Sequence, residues 1–576
     1  MLYVILRAYR FLIKEKFVNY KSLIRPLLIL LFFMGLWHLS HPFAAPSAAE
    51  TVSANVPDKN IILVPLDGRP PCKQFVVDGG AIAGFHVLTP PTELQDYYSA
   101  PGDTAGMRHW LAENIKGQQA ALISIDQLLY GGLLAAREKE APPAQQEALI
   151  KYLRQLHADN PNIPLLAFSI LPRQTPQDTI DGYQERKDLL AYSRLKGRQA
   201  AGLAIDETEL ARLEAAIPPA SKEKYLAHFA ENEELNKKLI ALVKEGVLTK
   251  LVLGQDDGEE YSIPNIEKAH LREFMQAENL PSHKVILTHG ADEIALTMLA
   301  AFHNEQNDFQ PLVYVRYNHA STPDTIMPYM AIDMQETARE KIALIGGEET
   351  SDAAAADYVL YLSANDYEKD TVSQRSTNVQ ELRELTAQGS PVALVDLSKH
   401  FTAQETLLPL LIEGDYPLNR LTAYAGWNTA SNAIGTAAAA ASLYTNAQKN
   451  AQSRAEALGI AASNLKFLHN RILEDYFYLK EDIDTINHTL KKAGYQNTAD
   501  LDLEHNWRWA NNMLQQSMQK HLAAYKHSKS FLTPSEFHTP QGDFTLTVKD
   551  LTVDLSFPWP RTFEIYLETT PYIVTQ

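Results

Sequence analysis

Cysteine is almost missing from this sequence, since Cys72 is the only one in 576 residues. A single cysteine cannot form an intrachain disulfide, and without a CxxC pair the chain has no thiolate zinc site. Four common motifs are also missing, namely GxGxxG after the first strand, GxxxxGK[ST], HExxH and GxSxG. Dinucleotide-binding, P-loop, zincin and ordinary α/β-hydrolase chemistry therefore lack the residues that they need.

Positive charge is scarce, because 52 Lys and Arg stand against 70 Asp and Glu, which gives a net charge of -18. A protein that holds phosphate backbones by counterion release needs the opposite balance, so nucleic acid is not an expected partner. The composition is otherwise that of a globular protein, with 45% apolar and 21% charged residues. The chain is therefore able to bury a large core.

The first 49 residues have the order of an export signal. Six basic residues and one acid precede an apolar run at 27–37, and Ser47-Ala48-Ala49 follows. The run is shorter than the roughly 20 residues that span a bilayer. We predict a signal peptide cleaved after Ala49, with an uncleaved signal anchor as the alternative. In both cases the body is expected in the periplasm or at the cell surface, with membrane contact only through this segment if it is uncleaved.

From residue 60 onward, short apolar runs alternate with longer helical stretches, which is typical of βα units around a parallel sheet. The predicted strands are 61–66, 121–125, 165–170, 251–253, 285–287, 312–315, 358–362, 392–395 and 421–424, with a weaker candidate for an additional edge strand at 85–88. Nine strands are one too many for a plain eightfold barrel. We therefore predict an α/β fold with an elaborated (β/α) barrel-like core; the alternative is a doubly wound α/β sheet, or two in tandem.

The rest of the chain is divided by changes in pattern. We predict a linker at 50–59 and an α/β catalytic-type core at 60–447. Within the core, 183–248 is rich in Glu, Lys, Leu and Ala and is expected to be a helical insertion. Residues 448–530 are expected to be helical, and 531–576 alternates apolar and polar residues, which predicts a small C-terminal antiparallel β element.

Polar residues follow nearly every predicted strand. In parallel α/β folds the carboxyl ends of the strands lie on one face, where ligands bind. Asp, Asn and Gly at these places also cap helices, but Arg is harder to explain in that way. We therefore expect one charged pocket rather than separate turns. The residues predicted to bind substrate are Asp67, Arg69, Asp126, Arg173, Arg316, Asp396, Trp427 and Asn428.

Two of these assignments have structural alternatives. Asp67 and Arg69 bind either substrate or each other, as an ion pair that fixes the first loop. Trp427 is interpreted as a stacking platform for a sugar, with Asn428 recognising hydroxyl groups. The alternative is a core tryptophan followed by a helix-capping asparagine.

Asp256-Asp257, followed by Gly258, is the strongest local signal of catalysis. Two acids held close together cannot both ionise easily, so the pKa of one is raised and it becomes a candidate general acid. Glycosidases need such an acid and a second carboxylate, and adjacent acids are also expected where a sugar N-acetyl group is the nucleophile. A solvated capping turn is the alternative. Glu293 or Asp292 is a reserve acid, although both also suit the first turn of a helix.

We therefore predict an exported, carbohydrate-active hydrolase, a glycosidase with paired carboxylates, whose partner is a glycan or another small molecule. A metal-dependent hydrolase is a second hypothesis, and a non-catalytic envelope protein that binds a polyol or an anionic metabolite is a third. No cofactor is expected. A divalent cation remains an alternative, for which the candidate ligands are Asp67, Asp126, Asp256, Asp257 and Asp396.

Six segments resemble the bacterial domain-of-unknown-function family 4127. They are VPLDGRP at 64–70, LYGGL at 129–133, GQDD at 254–257, HGADE at 289–293, AGWNTASN at 425–432 and PWPRTFE at 558–564. The likeness runs from about residue 60 to the end of the chain. It implies one integral unit that includes the terminal β element and excludes the signal-like segment, and it implies no activity.

Overall fold

The predicted βα units form open parallel sheets in the computed structural model, which describes residues 50–575. Fifteen strands occur in this part of the chain. They are β1 (Glu50–Val52), β2 (Lys59–Val64), β3 (Phe85–Leu88), β4 (Ala121–Ser124), β5 (Leu165–Leu171), β6 (Lys250–Gln255), β7 (Val285–His289), β8 (Leu312–Tyr317), β9 (Glu348–Glu349), β10 (Tyr358–Asn365), β11 (Val392–Ser398), β12 (Leu421–Ala425), β13 (Ser535–Thr539), β14 (Gly542–Ser556) and β15 (Tyr566–Thr575).

Helices connect the parallel strands and flank the sheets. They are α1 (Pro70–Ile82), α2 (Thr104–Asn114), α3 (Ile125–Leu129), α4 (Leu133–Glu138), α5 (Pro143–Asp159), α6 (Tyr183–Ala200), α7 (Glu207–Ala216), α8 (Pro219–Lys244), α9 (Ile263–Ala277), α10 (Ile294–Gln306), α11 (Met334–Leu344), α12 (Val372–Ala387), α13 (Leu408–Glu413), α14 (Ala430–Asn450), α15 (Arg454–Arg471), α16 (Ile483–Lys492), α17 (Trp507–His527) and α18 (Lys529–Leu532). A π-helical segment, Ile472–Asp482, joins α15 to α16. Short 3₁₀ turns lie at Thr92–Leu94, Ala403–Glu405 and Leu418–Arg420.

The two parallel sheets have the same kind of strand order. The first has six strands in the order β3-β2-β4-β5-β6-β7, and the second has five in the order β9-β8-β10-β11-β12. In each sheet the first strand along the chain lies between the second and the third. This is the order of doubly wound sheets, in which ligands bind outside the carboxyl ends of the strands.

The mixed α/β class is confirmed, but the barrel is not. In residues 50–575 the parallel strands divide into two open sheets, and no closed barrel is present in this described part. Each strand of a barrel or of an open sheet is buried on both faces, so its apolar run is the same in both folds. The sequence pattern therefore predicted most of the strands, and the predicted edge position of 85–88 is confirmed by β3, but the pattern did not mark the other edges.

The antiparallel C-terminal sheet is confirmed, and it is packed into the main core. Its strand order is β1-β15-β14-β13. The strand β1 comes from residues 50–59, which were expected to be a linker. Leu546 and Ile573 belong to the same apolar cluster as Ile61 of β2 and Val313 of β8. Residues 51–575 accordingly form one compact unit.

Two groups of helices give the core its form. The alanine-rich helix α14 is buried along most of its length, because small side chains let it pack against α10, α11, β11 and β12. The helices α6, α7 and α8 occupy the predicted insertion between β5 and β6. They contain a small apolar cluster of their own, which includes Leu189, Leu213 and Phe229.

Residues 1–49, on which the export and cleavage predictions depend, lie outside the described residues. Among residues 50–575, no helix is both long enough and apolar enough to span a bilayer. The exported location therefore stays a prediction from the sequence.

Candidate functional site

A cavity of about 620 Å³ opens at the carboxyl ends of both parallel sheets. The loops after β2, β5, β6 and β7 of the first sheet contribute to its lining, and so do α4 and the loops after β8, β11 and β12. The π-helical segment and residues near Arg561 line it as well. The position is the one in which open α/β sheets bind ligands.

Arg69 ties two of these loops together. Its Nη2 donates to Asp67 Oδ2 at 2.6 Å and to Asp292 Oδ1 at 2.6 Å, and its Nε donates to Asp67 Oδ2 at 2.9 Å. All three side chains are at most 7% exposed. Asp67 and Arg69 thus form the predicted ion pair, and Asp292, which follows β7, shares it.

Asp256 is held as an anion by an arginine from α4. Its Oδ2 accepts hydrogen bonds from Arg137 Nε at 2.8 Å and Nη2 at 2.5 Å, and its Oδ1 accepts one from the Asp257 backbone N–H at 2.9 Å. Burial works to raise the pKa of Asp256, but the guanidinium groups of Arg137 and Arg173 lower it below its usual value. The carboxylate is therefore ionised and fixed in place.

Asp257 differs from its neighbour because its carboxyl group has no hydrogen-bond or ion-pair partner among residues 50–575. It is half-buried and lines the cavity. Burial and then the negative charge of Asp256 raise the pKa of Asp257 to about 7. The surroundings thus shift the pKa values of the two acids in opposite directions. Asp256 is ionised, whereas Asp257 is able to carry a proton near neutral pH.

Gly254 allows β6 to approach the loop that carries Asp292. A Cβ atom at position 254 would lie 2.5 Å from the backbone oxygen of Gly290 and 2.2 Å from Ile294 Cδ1. Both distances are too short for real contacts, so the strand and the loop must separate. We expect Gly254→Ala to lower the free energy of unfolding by about 1 to 3 kcal/mol, as overpacking does.

Urea denaturation of the natural protein and the Gly254→Ala variant measures this loss, and Gly258→Ala in the loop after β6 is the control. The closest atom to a Cβ at Gly258 is Nε2 of the flexible Gln255 side chain, at 3.1 Å, and the Asp256 backbone oxygen lies at an ordinary contact distance of 3.7 Å. An equal loss for both variants would show that the close approach at Gly254 is not the cause.

The π-helical segment supplies Lys480 to the cavity. The segment is anchored at its start, where Arg471 binds Glu474 and Asp475, all three being buried. Asp475 Oδ2 also accepts a hydrogen bond from the Gly426 backbone N–H at 2.9 Å, so the segment is fixed to the loop after β12. Sequence reasoning missed Lys480 because helical residues carry no strand-end signal.

His400 is a further cavity residue that sequence reasoning missed. Its Nδ1 lies 2.6 Å from Oε1 of Glu405, which is fully buried, and its ring lies 4.5 Å from that of Tyr367. The residue follows β11, so the strand-end pattern that selected Asp396 could have selected His400 too. A histidine oriented by a carboxylate is able to transfer protons.

Two aromatic rings lie at the cavity in strained backbone conformations. Tyr329 is 58% exposed with φ 65°, and Phe401 is 37% exposed with φ 58°. Their ring centroids are 6.4 Å apart. Asn428, also in the cavity lining, has φ 55°. Positive φ values in residues other than glycine cost free energy and are concentrated at functional sites.

Several predicted site residues reach the cavity and others do not. Arg69, Arg173, Asp256, Asp257 and Asn428 line it, and Asp67 supports it through Arg69. The five that lie elsewhere are Asp126, Glu293, Arg316, Asp396 and Trp427.

Glu293 and Trp427 have structural roles instead of the predicted ones. Glu293 is 2% exposed and forms an ion pair with Lys341 at 2.6 Å, so it is not a free reserve acid. Trp427 is also 2% exposed and packs against the edge of Phe563 at 5.9 Å between centroids. It cannot be a sugar platform, because its ring belongs to the core and only the neighbouring Asn428 reaches the cavity.

Arg316 and Asp396 lie within strands that are longer than predicted, and their side chains do not line the cavity. Arg316 in β8 points outward and pairs with Glu381 at 2.5 Å. Asp396 in β11 accepts hydrogen bonds from the backbone N–H groups of Leu407 and Leu408 at the start of α13. It is therefore a buried support for the loop after β11.

Asp126 lies beside the cavity rather than in it. Its Oδ2 accepts a hydrogen bond from the Ile170 backbone N–H at 3.0 Å, and it faces a void of about 10 Å³ next to Asp256. Burial raises the pKa of Asp126 to about 7.

The five acids proposed as cation ligands do not gather at one point. In residues 50–575, two groups of three side chains are compact enough to hold a metal ion. They are Asp67, Cys72 and Asp292, and Asp366, His400 and Glu405. In the first group the guanidinium of Arg69 already bonds to both carboxylates. In the second, Lys399 Nζ donates to Asp366 Oδ2 at 2.8 Å.

The chain belongs to the family described as "Protein of unknown function (DUF4127)", whose model matches residues 61–568. The resemblance found in the sequence is thereby confirmed. No curated protein matches the chain.

Proposed function

We propose that this member of the DUF4127 family is a glycoside hydrolase in which Asp257 protonates the leaving oxygen. One observation carries the proposal, namely an unpartnered carboxyl group in a cavity wall with a pKa of about 7. General acid catalysis near neutral pH requires a group that still holds a proton there. Glycosidases obtain this by raising the pKa of one carboxyl group while a second stays ionised.

Asp256 is the ionised carboxylate of the proposed pair. Its charge, fixed by two hydrogen bonds from Arg137, helps to keep the proton on Asp257. The second carboxylate of a glycosidase acts as nucleophile, as base or as a group that orients the substrate. Asp292 lines the same cavity and is the other acid that we propose for such a role.

The lining of the cavity suits a carbohydrate. Sugars present apolar C–H faces and polar hydroxyl groups, and binding pockets combine aromatic side chains with a few placed polar groups. The exposed rings of Tyr329 and Phe401 supply the aromatic surface. The polar groups are supplied by Asn428, Ser431 and Asn432. In this proposal the aromatic role assigned to Trp427 from the sequence passes to these two rings.

The proposed location is outside the cytoplasm. It rests on the sequence of residues 1–49, in which a basic region precedes a short apolar run. A glycan of the cell envelope or its surroundings is then the proposed partner.

The proposal is tested by assaying the purified protein on a panel of 4-nitrophenyl glycosides, with and without an N-acetyl group on the sugar. Asp257→Asn is the matched variant, since it keeps the shape of the side chain and removes the acid. We expect at least one glycoside to be cleaved by the natural protein and not by the variant. Asp484→Asn, which changes an exposed acid at the rim, is expected to retain the activity.

Three results would contradict the proposal. Equal rates for the natural protein and Asp257→Asn would place the chemistry elsewhere. Sugar binding without turnover of any glycoside would favour the envelope binding protein. Activity that is lost with EDTA and restored by a divalent cation would favour the metal-dependent hydrolase.

A further inference from the structure

Arg173 is a cation of the cavity that has no ion-pair contact in residues 50–575, although the charges of Asp256 and Asp257 act on it from a distance. Three other arginines in the lining, Arg69, Arg137 and Arg561, each form an ion pair with a carboxylate. Arg173 forms neither an ion pair nor a side-chain hydrogen bond with any residue from 50 to 575, and its Nε is buried without a partner. Its guanidinium group is therefore available to a ligand.

Lys480 is a second cation of the cavity without an ion-pair contact in the described residues. It is 8% exposed, it lines the cavity, and in the described part of the chain its Nζ has no ion-pair or hydrogen-bond partner. The ring of Phe401 lies beside Nζ, with its centroid 5.2 Å away. Burial lowers the pKa of Lys480, although the more distant carboxylates of Asp396 and Asp475 oppose this effect.

A cation that is partly or wholly buried without an ion-pair contact costs free energy, because it has lost water and gained no direct partner. A negatively charged ligand removes that cost in the bound state. Arginine also suits carboxylate, sulfate and phosphate groups in particular, since its N–H groups form paired hydrogen bonds with two oxygens. Two such cations in one cavity thus favour an anion over a neutral ligand.

We infer that the cavity binds an acidic sugar, with its negatively charged group held by Arg173 and Lys480. The inference rests on the proposed function for the sugar itself and adds the charge of the substrate. Arg173 follows β5 of the first sheet, and Lys480 belongs to the π-helical segment, which is anchored to the loop after β12 of the second. The anion is thereby recognised by groups from both halves of the cavity.

Calorimetric titration tests the inference without any need for turnover. The probes are disaccharides that contain glucuronate or galacturonate, their neutral glucose and galactose counterparts, and glucose 6-sulfate and glucose 6-phosphate. We expect at least one acidic probe to bind about tenfold or more tightly than its neutral counterpart. The three acidic groups distinguish a carboxylate ligand from a sulfate or phosphate ester.

Two variants assign the preference to the proposed residues. Arg173→Gln and Lys480→Gln are each expected to reduce the affinity for the acidic probe about tenfold and to leave the affinity for the neutral one unchanged. Lys529→Gln removes an exposed lysine that pairs with Asp415 and is the control, with no expected change. Arg173→Lys, which retains the charge, is expected to recover part of the binding and serves if Arg173→Gln does not fold.

Equal affinities for acidic and neutral probes would overturn the inference, and so would an acidic preference that survives both charge-removing variants. Hydrolysis of neutral glycosides alone would refute the acidic substrate and leave the hydrolase standing. Charge-selective binding without hydrolysis would refute the hydrolase and leave the anion site standing.

Discussion

Above pH 7, kcat/KM for glycoside cleavage is expected to fall about tenfold for each pH unit. The acid must carry a proton, and the pKa of Asp257 is about 7 because burial and the charge of Asp256 raise it. The protonated fraction therefore decreases tenfold per unit once the pH exceeds that value. The measurement is kcat/KM from pH 5 to pH 9, which reports the ionisation of the free enzyme.

Arg173→Gln tests whether Asp257 is the group whose loss of a proton causes the decrease in kcat/KM above pH 7. Arg173 is one of the cations that lower the pKa of Asp257, so its removal should move the limb to higher pH. The comparison uses a neutral glycoside, because the proposed anion site is then not involved. A limb that stays in place, or a rate that does not fall above pH 7, would assign the proton to another group.

Stability gives an independent check that Asp257→Asn is folded. The folded-state pKa of Asp257 is raised from 3.8 to about 7, so the natural protein loses stability as the pH rises through that window. Asparagine has no proton to lose. The variant should therefore have a higher free energy of unfolding than the natural protein above pH 7, while its activity is lost.

Arg69→Met is expected to lower the free energy of unfolding by about 3 to 5 kcal/mol. The substitution leaves Asp67 and Asp292 buried without the guanidinium group that both of them bond. Breaking a buried ion pair by removing one partner costs more than the pair contributes, because the remaining charge is uncompensated. Urea denaturation monitored by circular dichroism measures the change.

Arg316→Met is the matched control, because Arg316 pairs with Glu381 at the surface. Exposed pairs of this kind contribute at most about 1 kcal/mol. The double variant Arg69→Met with Asp292→Asn should recover part of the loss, since it removes one of the two uncompensated charges. Similar losses for Arg69→Met and Arg316→Met would contradict the role assigned to the buried cluster.

The strand-end pattern predicted the cavity but not the direction of each side chain. Asp256, Asp257, Arg69 and Arg173 were found because they lie beyond the observed ends of their strands, even where the apolar run missed the end by two residues. Arg316 and Asp396 were misplaced because β8 and β11 continue for two or three residues beyond their apolar runs. A shift of one residue at a strand end reverses the face to which a side chain points.

Most of the other differences between the predicted and the observed structure depend on contacts between segments that are far apart in the sequence. Closure of a sheet depends on pairing between its edge strands. The weak run of β3 indicated an edge correctly, whereas β7 has no feature in its sequence that marks it as the other edge. Lys480 enters the cavity through tertiary packing of the π-helical segment, whereas His400 follows β11 and was within reach of the strand-end pattern. The pairing of Arg69 with Asp292 joins positions far apart in the chain and was likewise outside the reach of local reasoning.

The order β1-β15-β14-β13 bears on how the protein is made. The ribosome produces Glu50–Val52 long before its neighbour in the sheet, Tyr566–Thr575. Until then, the apolar cluster that contains Ile61 lacks the side chains that β15 contributes to it, such as Ile573. A nascent chain thus cannot complete this sheet or this cluster until almost all of the described residues have been synthesised.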